Sequence, residues 1–146
     1  VTIRIVRIMK PIKTLLTILF ISLLSSPSWS VTLDDLVKRD DLYYEKFIDI
    51  PYTGEVTGSV QGAFKGGKRD GAWVFYHKNG QLSSKGAYKD GEADGTWLSY
   101  HENGQLRSVG DLKNSRPEGV WVAHNEDGTI NKELTGTYKD GVKISD

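Results

Sequence analysis

The chain has 146 residues, enough for one domain, with no cysteine and a formal net charge of zero. The missing cysteine excludes disulfides and lipid attachment through an N-terminal Cys. Of 19 basic residues, Arg4, Arg7, Lys10 and Lys13 lie in residues 1–30, which hold no acid; the other 15 stand against all 19 acids, which leaves residues 31–146 at −4. A mildly acidic domain lacks the basic face that nucleic-acid binding requires.

Residues 9–30 have the order of features of a secretory signal peptide. Met9 is followed by Lys10 and Lys13, then the apolar run Leu15–Leu24, then Pro27. Ser28 and Ser30 are small residues at −3 and −1 of a cut before Val31. The apolar run is shorter than the ~20 residues that span hydrocarbon. This predicts a periplasmic or secreted protein that starts at Val31, with no stable membrane span after cleavage; a leader kept as an anchor is the alternative. Residues 1–8 precede a plausible start at Met9.

Residues 31–61 differ in composition and are expected to form an N-terminal cap with a degenerate half-repeat. Thr32 is placed to cap a short helix through Leu33, Leu36 and Val37. Asp40–Ile50 reads as one strand, and Pro51-Tyr-Thr-Gly54 as a turn. A cap is needed because the end of a repeat array must be covered.

From residue 62 onward the chain repeats itself, in units 62–85, 86–109, 110–135 and a partial 136–146. Trp73, Trp97 and Trp121 are spaced by 24 residues, as are Gly71, Gly95 and Gly119, and Gly80, Gly104 and Gly128. Each unit holds two strand-like runs. The first is Ala72–Tyr76, Thr96–Tyr100 or Val120–His124, rich in aromatic and β-branched residues. The second is Gln81–Tyr88, Gln105–Leu112 or Thr129–Tyr138, the last longer by two residues. Between them, His77-Lys-Asn-Gly80 and His101-Glu-Asn-Gly104 read as hairpin turns with left-handed backbone at Asn-Gly. Connections this short allow antiparallel neighbours only. The fold class that follows is all-β: a single elongated, twisted antiparallel sheet of tandem hairpins with a 24-residue period and a short N-terminal cap. Gly86, Gly110 and Gly136 fall inside the second strands, where glycine is unfavourable unless another group comes close. A Trp from the neighbouring strand is the expected group. The central Trp97, with neighbours on both sides, is expected to be the costliest to remove.

The pattern Gly-x-Trp-x-x-Tyr-His-x-Asn-Gly-Gln-Leu followed by Gly-x-Tyr-Lys-Asp-Gly resembles the bacterial variant of the MORN repeat, from which YwqK-type antitoxin proteins are assembled. The resemblance covers roughly Tyr43 to Gly141. The third unit departs from it: His124 stands for Tyr, Asp127 for Asn, and Asn114-Ser115 for the Asp-Gly turn. The resemblance implies stacked hairpins, an interaction role and no catalytic residue set. An exported leader fits poorly with a toxin met in the cytosol.

The residues themselves offer little catalysis. His77 and His101 occupy equivalent turn positions, but His124 falls one place earlier in its unit, and a linear array does not bring three ligands onto one ion. His77 reads as a solvated turn residue of little consequence. Asp70, Asp94 and Glu118 recur in Gly-rich turns, where a carboxylate caps the turn. Neither a phosphate loop nor a nucleophile–base pair is visible, so no enzyme activity, metal or cofactor is expected. The aromatics are the richest feature. We expect the Trp ladder to be core, and part of the opposite face, around Val74, Tyr76, Leu98 and Tyr100, to be a contact surface, because a single-layer sheet cannot bury both sides. The function this predicts is non-catalytic binding of a protein or an envelope component. A glycan- or cell-wall-binding module and a cytosolic antitoxin-like partner are the alternatives.

Overall fold

The structure is a computed structural model that describes residues 30–146; the leader lies outside them. A 3-10 turn at Leu33–Asp35 precedes β1 (Leu36–Arg39) and β2 (Leu42–Glu45), which pair as a separate two-stranded hairpin. The main sheet holds β3 (Gly54–Val56), β4 (Val60–Lys65), β5 (Lys68–Tyr76), β6 (Leu82–Lys89), β7 (Glu92–Ala93), β8 (Gly95–Tyr100), β9 (Leu106–Lys113), β10 (Arg116–Ala123), β11 (Gly136–Lys139) and β12 (Val142–Ser145). Every pairing between these strands is antiparallel and joins strands consecutive in the chain, except that β7 and β8 both pair with β6. β7 and β8 are two parts of one strand, interrupted at Asp94. The architecture is the all-β sheet of tandem hairpins that the 24-residue period predicts.

Three local expectations are corrected. The helix through Leu33, Leu36 and Val37 is a single 3-10 turn. Leu36 instead opens β1, paired with Glu45, and its side chain is buried in the hydrophobic cluster. Asp40–Ile50 is not one strand: Asp40 and Asp41 are both left-handed (φ 47 and 61) and form the two-residue turn between β1 and β2. In the third unit, Thr129–Tyr138 is broken. Ile130 makes only an isolated bridge to His124, residues 132–134 turn, and the strand resumes at Gly136.

The core sits at one end of the sheet. Leu36, Tyr52, Val56, Phe64 and Trp73 form its buried cluster. The β1–β2 hairpin is held over this end by backbone bonds: Tyr43 N–H donates to Gly67 O (2.8 Å), Gly67 N–H to Tyr52 O (2.7 Å) and Tyr52 N–H to Tyr43 O (2.8 Å). Trp73 is completely buried, edge-on to Phe64 (5.0 Å between ring centroids) and to Tyr88 (5.7 Å). The Arg69 guanidinium lies over the Trp73 ring (4.8 Å) and donates to the Tyr88 hydroxyl (3.0 Å). Beyond this end the described residues form a single layer.

Candidate functional site

Trp73, Trp97 and Trp121 pair directly with Gly86, Gly110 and a last glycine, Gly136. The glycine that each indole lies on is on the other side, in the strand before it. A Cβ built at Gly62 would run into Trp73, one at Gly86 into Trp97, and one at Gly110 into Trp121. Glycine is required there because the ring lies flat on the backbone. Gly62 was not among the strand glycines singled out from the sequence, although it precedes Gly86 by the same 24-residue step. Gly136 carries no indole; the aliphatic chain of Lys143 fills that place. The Nε1–H groups of Trp97 and Trp121 donate to Ala87 O (3.2 Å) and Asp111 O (2.9 Å), which fixes each ring's orientation.

The turns form a second ladder. His77 Nε2–H donates to the Tyr100 carbonyl (3.0 Å) and His101 Nε2–H to the His124 carbonyl (2.9 Å). Asn79 Nδ2–H donates to Glu102 O (3.0 Å), and Asn103 Nδ2–H to Glu126 O (3.0 Å). Each turn is thus tied to the next by two side-chain donors. His77 is half-buried and bonded to the following hairpin, which corrects its reading as a solvated residue of little consequence. The turn also differs from the expected one. Gly80 is left-handed (φ 83) but Asn79 is not. Asn79 acts through its side chain, whose Oδ1 accepts the Gln81 N–H (2.9 Å). Gly104 and Gly128 repeat the Gly80 geometry, while Gly71, Gly95 and Gly119 are left-handed at the start of the Trp-bearing segments.

On the opposite face, register places Val74 beside Lys85, Lys85 beside Leu98, Leu98 beside Val109, and Val109 beside Val122. The two expected contact residues Val74 and Leu98 therefore belong to one row across the sheet. Val109 and Val122 extend it and were missed, although Val122 follows Leu98 by 24 residues. Tyr76 and Tyr100 pair with Leu82 and Leu106. The extra residue of each bulge, Ser83 or Arg107, is on the second strand, so alternation keeps Tyr76 on the Val74 face and Tyr100 on the Leu98 face. All four are half-buried, and Val120 on the same side is 68% exposed.

The Trp face opens at its far end into a cleft of about 510 Å³ beside Trp121, with Ser99, Ser108, His124 and Leu134 among its walls. Ser99 Oγ and Ser108 Oγ are 2.6 Å apart at the cross-strand pair. His124 Nδ1 has no hydrogen-bond partner among the described residues. Asp70, Asp94 and Glu118 do not converge; they lie on successive units, and Glu118 Oε2 accepts the Asp140 N–H (2.9 Å) as a turn cap. Among the described residues, no group of three or more His, Asp or Glu is placed to hold a metal, and no helix is long and apolar enough to cross a membrane.

No curated protein matches the chain. Residues 69–90 and 93–114 match the family described as MORN repeat variant. These segments are the β5–β6 and β7–β9 hairpins with their turns, and the third, irregular hairpin lies beyond them. Over these two units the chain is similar to the MORN repeat variant.

Proposed function

We propose that this protein is an exported, non-catalytic binding module whose partner is another protein or a component of the cell envelope. The observation that carries the reading is the face left uncovered by the described residues: Leu98, Val109 and Val122 are adjacent across the sheet, Val74 lies beyond Lys85 in the same row, and Tyr76 and Tyr100 lie beside it. Contiguous apolar surface on an unlayered sheet marks a contact site. The Lys10, Lys13, Leu15–Leu24 and Ser28/Ser30 features support export and a mature chain from Val31. The Gly-x-Trp-x-x-Tyr-His-x-Asn-Gly-Gln-Leu pattern supports a YwqK-type protein, and the leader favours an envelope partner over a cytosolic toxin.

The test has two parts. Fractionation and mass spectrometry should find the protein outside the cytosol and beginning at Val31; intact Met9–Ser30 peptides on the exported protein would refute cleavage. Leu98→Lys and Val122→Lys change half-exposed positions and should leave folding within about 1 kcal/mol of the parent. In-cell crosslinking should recover an envelope partner with the parent and lose it with both variants. Unchanged crosslinks would remove this face from the reading.

A further inference from the structure

The cleft beside Trp121 exists because the repeat is broken there in two places. In the first hairpin Phe75 stands next to the indole of the following unit, with ring centroids of Phe75 and Trp97 6.1 Å apart. One period on, the Phe75 position is Ser99, so the side of Trp121 that would meet a phenyl ring meets a hydroxyl. The second break is the two-residue insertion of the third unit. It brings Asn131 and Leu134 up as a wall on the same cleft. Asn131 is held there, donating from Nδ2 to Asn125 Oδ1 (3.0 Å) and accepting the Leu134 N–H (3.1 Å). Departures from an otherwise consistent pattern are where function is expected to lie.

We propose that this cleft binds one sugar residue of a glycan, with the ring stacked on Trp121. The indole is a rigid plate, since its Nε1–H is already committed to Asp111 O. Its π face attracts the slightly positive C–H face of a pyranose. Around the plate are groups that suit hydroxyls: the Ser99 and Ser108 hydroxyls, the Arg107 guanidinium and the Glu126 carboxylate. Sugar hydroxyls both donate and accept, and so can satisfy such a mixed set. An apolar side chain would leave that rim unpaired. A lone cation over the indole would meet Arg107. The site is on the Trp face, away from the Val74–Val122 row, and stands or falls separately from the reading of that row.

The test is a titration of the ¹⁵N-labelled mature chain, read at the indole Nε1–H resonances. The probes are glucose, N-acetylglucosamine and their β-1,4-linked oligomers, with N-acetyl-phenylalaninamide and N-acetyl-argininamide as peptide-like controls. The expected result is a saturable shift of the Trp121 resonance with at least one sugar, with Trp73 and Trp97 unmoved. Ser99→Phe restores the ring of the first hairpin and fills the cleft; it should weaken sugar binding tenfold or more without lowering the thermal midpoint. Ser108→Val narrows the cleft from the neighbouring strand with a residue that suits a strand, and should show the same loss. Absence of any saturable sugar shift, sugar binding unchanged in the folded variants, or binding of the amino-acid amides alone would overturn the proposal.

Discussion

Trp73 and Trp121 hold the same place in their hairpins and lie over equivalent glycines, yet their surroundings differ. Trp73 is closed in by the β1–β2 hairpin, Phe64, Tyr88 and Arg69, and none of its surface reaches solvent. Trp121 sits on a bare sheet beside a cleft. The difference shows that the repeat sets where an indole goes, while the non-repeating segments decide how much it contributes. Burial against a second layer converts a surface ladder into a core, and this happens at one end only.

The largest expected effect follows from that contrast. Trp73→Ala removes the centre of the buried cluster and should cost about 3–5 kcal/mol, comparable with the stability of a small domain. Trp97→Ala should cost less and Trp121→Ala least, measured by denaturant unfolding with hydrogen exchange to locate the loss. Counting neighbours along the array puts Trp97 first; the structure moves the maximum to the capped end. A loss at Trp121 equal to that at Trp73 would show that the cap adds nothing.

Next is the close approach at Gly86. Gly86→Ala sets a methyl against the Trp97 indole and should cost about 1–3 kcal/mol. Gly71→Ala, where a Cβ meets open space and only the left-handed backbone opposes it, should cost about 1 kcal/mol. Thermal midpoints of the pair separate crowding from backbone strain.

The turn ladder gives smaller effects. His77→Ala loses a bond to the next hairpin and should cost about 1 kcal/mol. The same change at His124, whose side chain makes no such bond, is the control, by chemical denaturation. The smallest effect is expected at Asp127. It stands where Asn79 and Asn103 stand, and its carboxylate accepts the Thr129 N–H (2.9 Å) and hydroxyl (2.6 Å) while donating to nothing. Those two hydrogen bonds also hold its carboxyl below the usual carboxylate range, the hydroxyl contributing most. Asp127→Asn should therefore be nearly silent, whereas Asn103→Asp loses the donor to Glu126 and should cost about 1 kcal/mol. Equal effects would mean that the amide ladder is incidental.

The strands, the faces and the stacking of Trp on Gly could be read from residue types because they depend on period and alternation alone. Other features depend on contacts between distant segments. The cap reads as one strand because Leu42, Tyr43 and Tyr44 continue an apolar run, and only pairing with Leu36–Arg39 shows that Asp40 and Asp41 turn. The role of His77 was hidden because its partner carbonyl is 23 residues away and carries no side-chain signature. The cleft was hidden differently: Phe75, Ser99 and Ala123 are plainly different residues, but their spacing means nothing until Trp97 and Trp121 are known to lie beside them.

Each hairpin presents unlike edges to its two neighbours. It offers a bare glycine and two turn donors to the following hairpin, and an indole and turn carbonyls to the preceding one. The stack therefore has a direction, and units join in one orientation only. At the far side the direction is closed chemically, by a carboxylate in place of the amide at Asp127 and by the Lys143 chain over Gly136. Such an object works as a ruler. Duplicating residues 86–109 in place would add two strands, roughly 9–10 Å, and leave both specialised ends untouched. The distance between the capped end and the cleft would then be adjustable in whole steps, set by the number of copies in between.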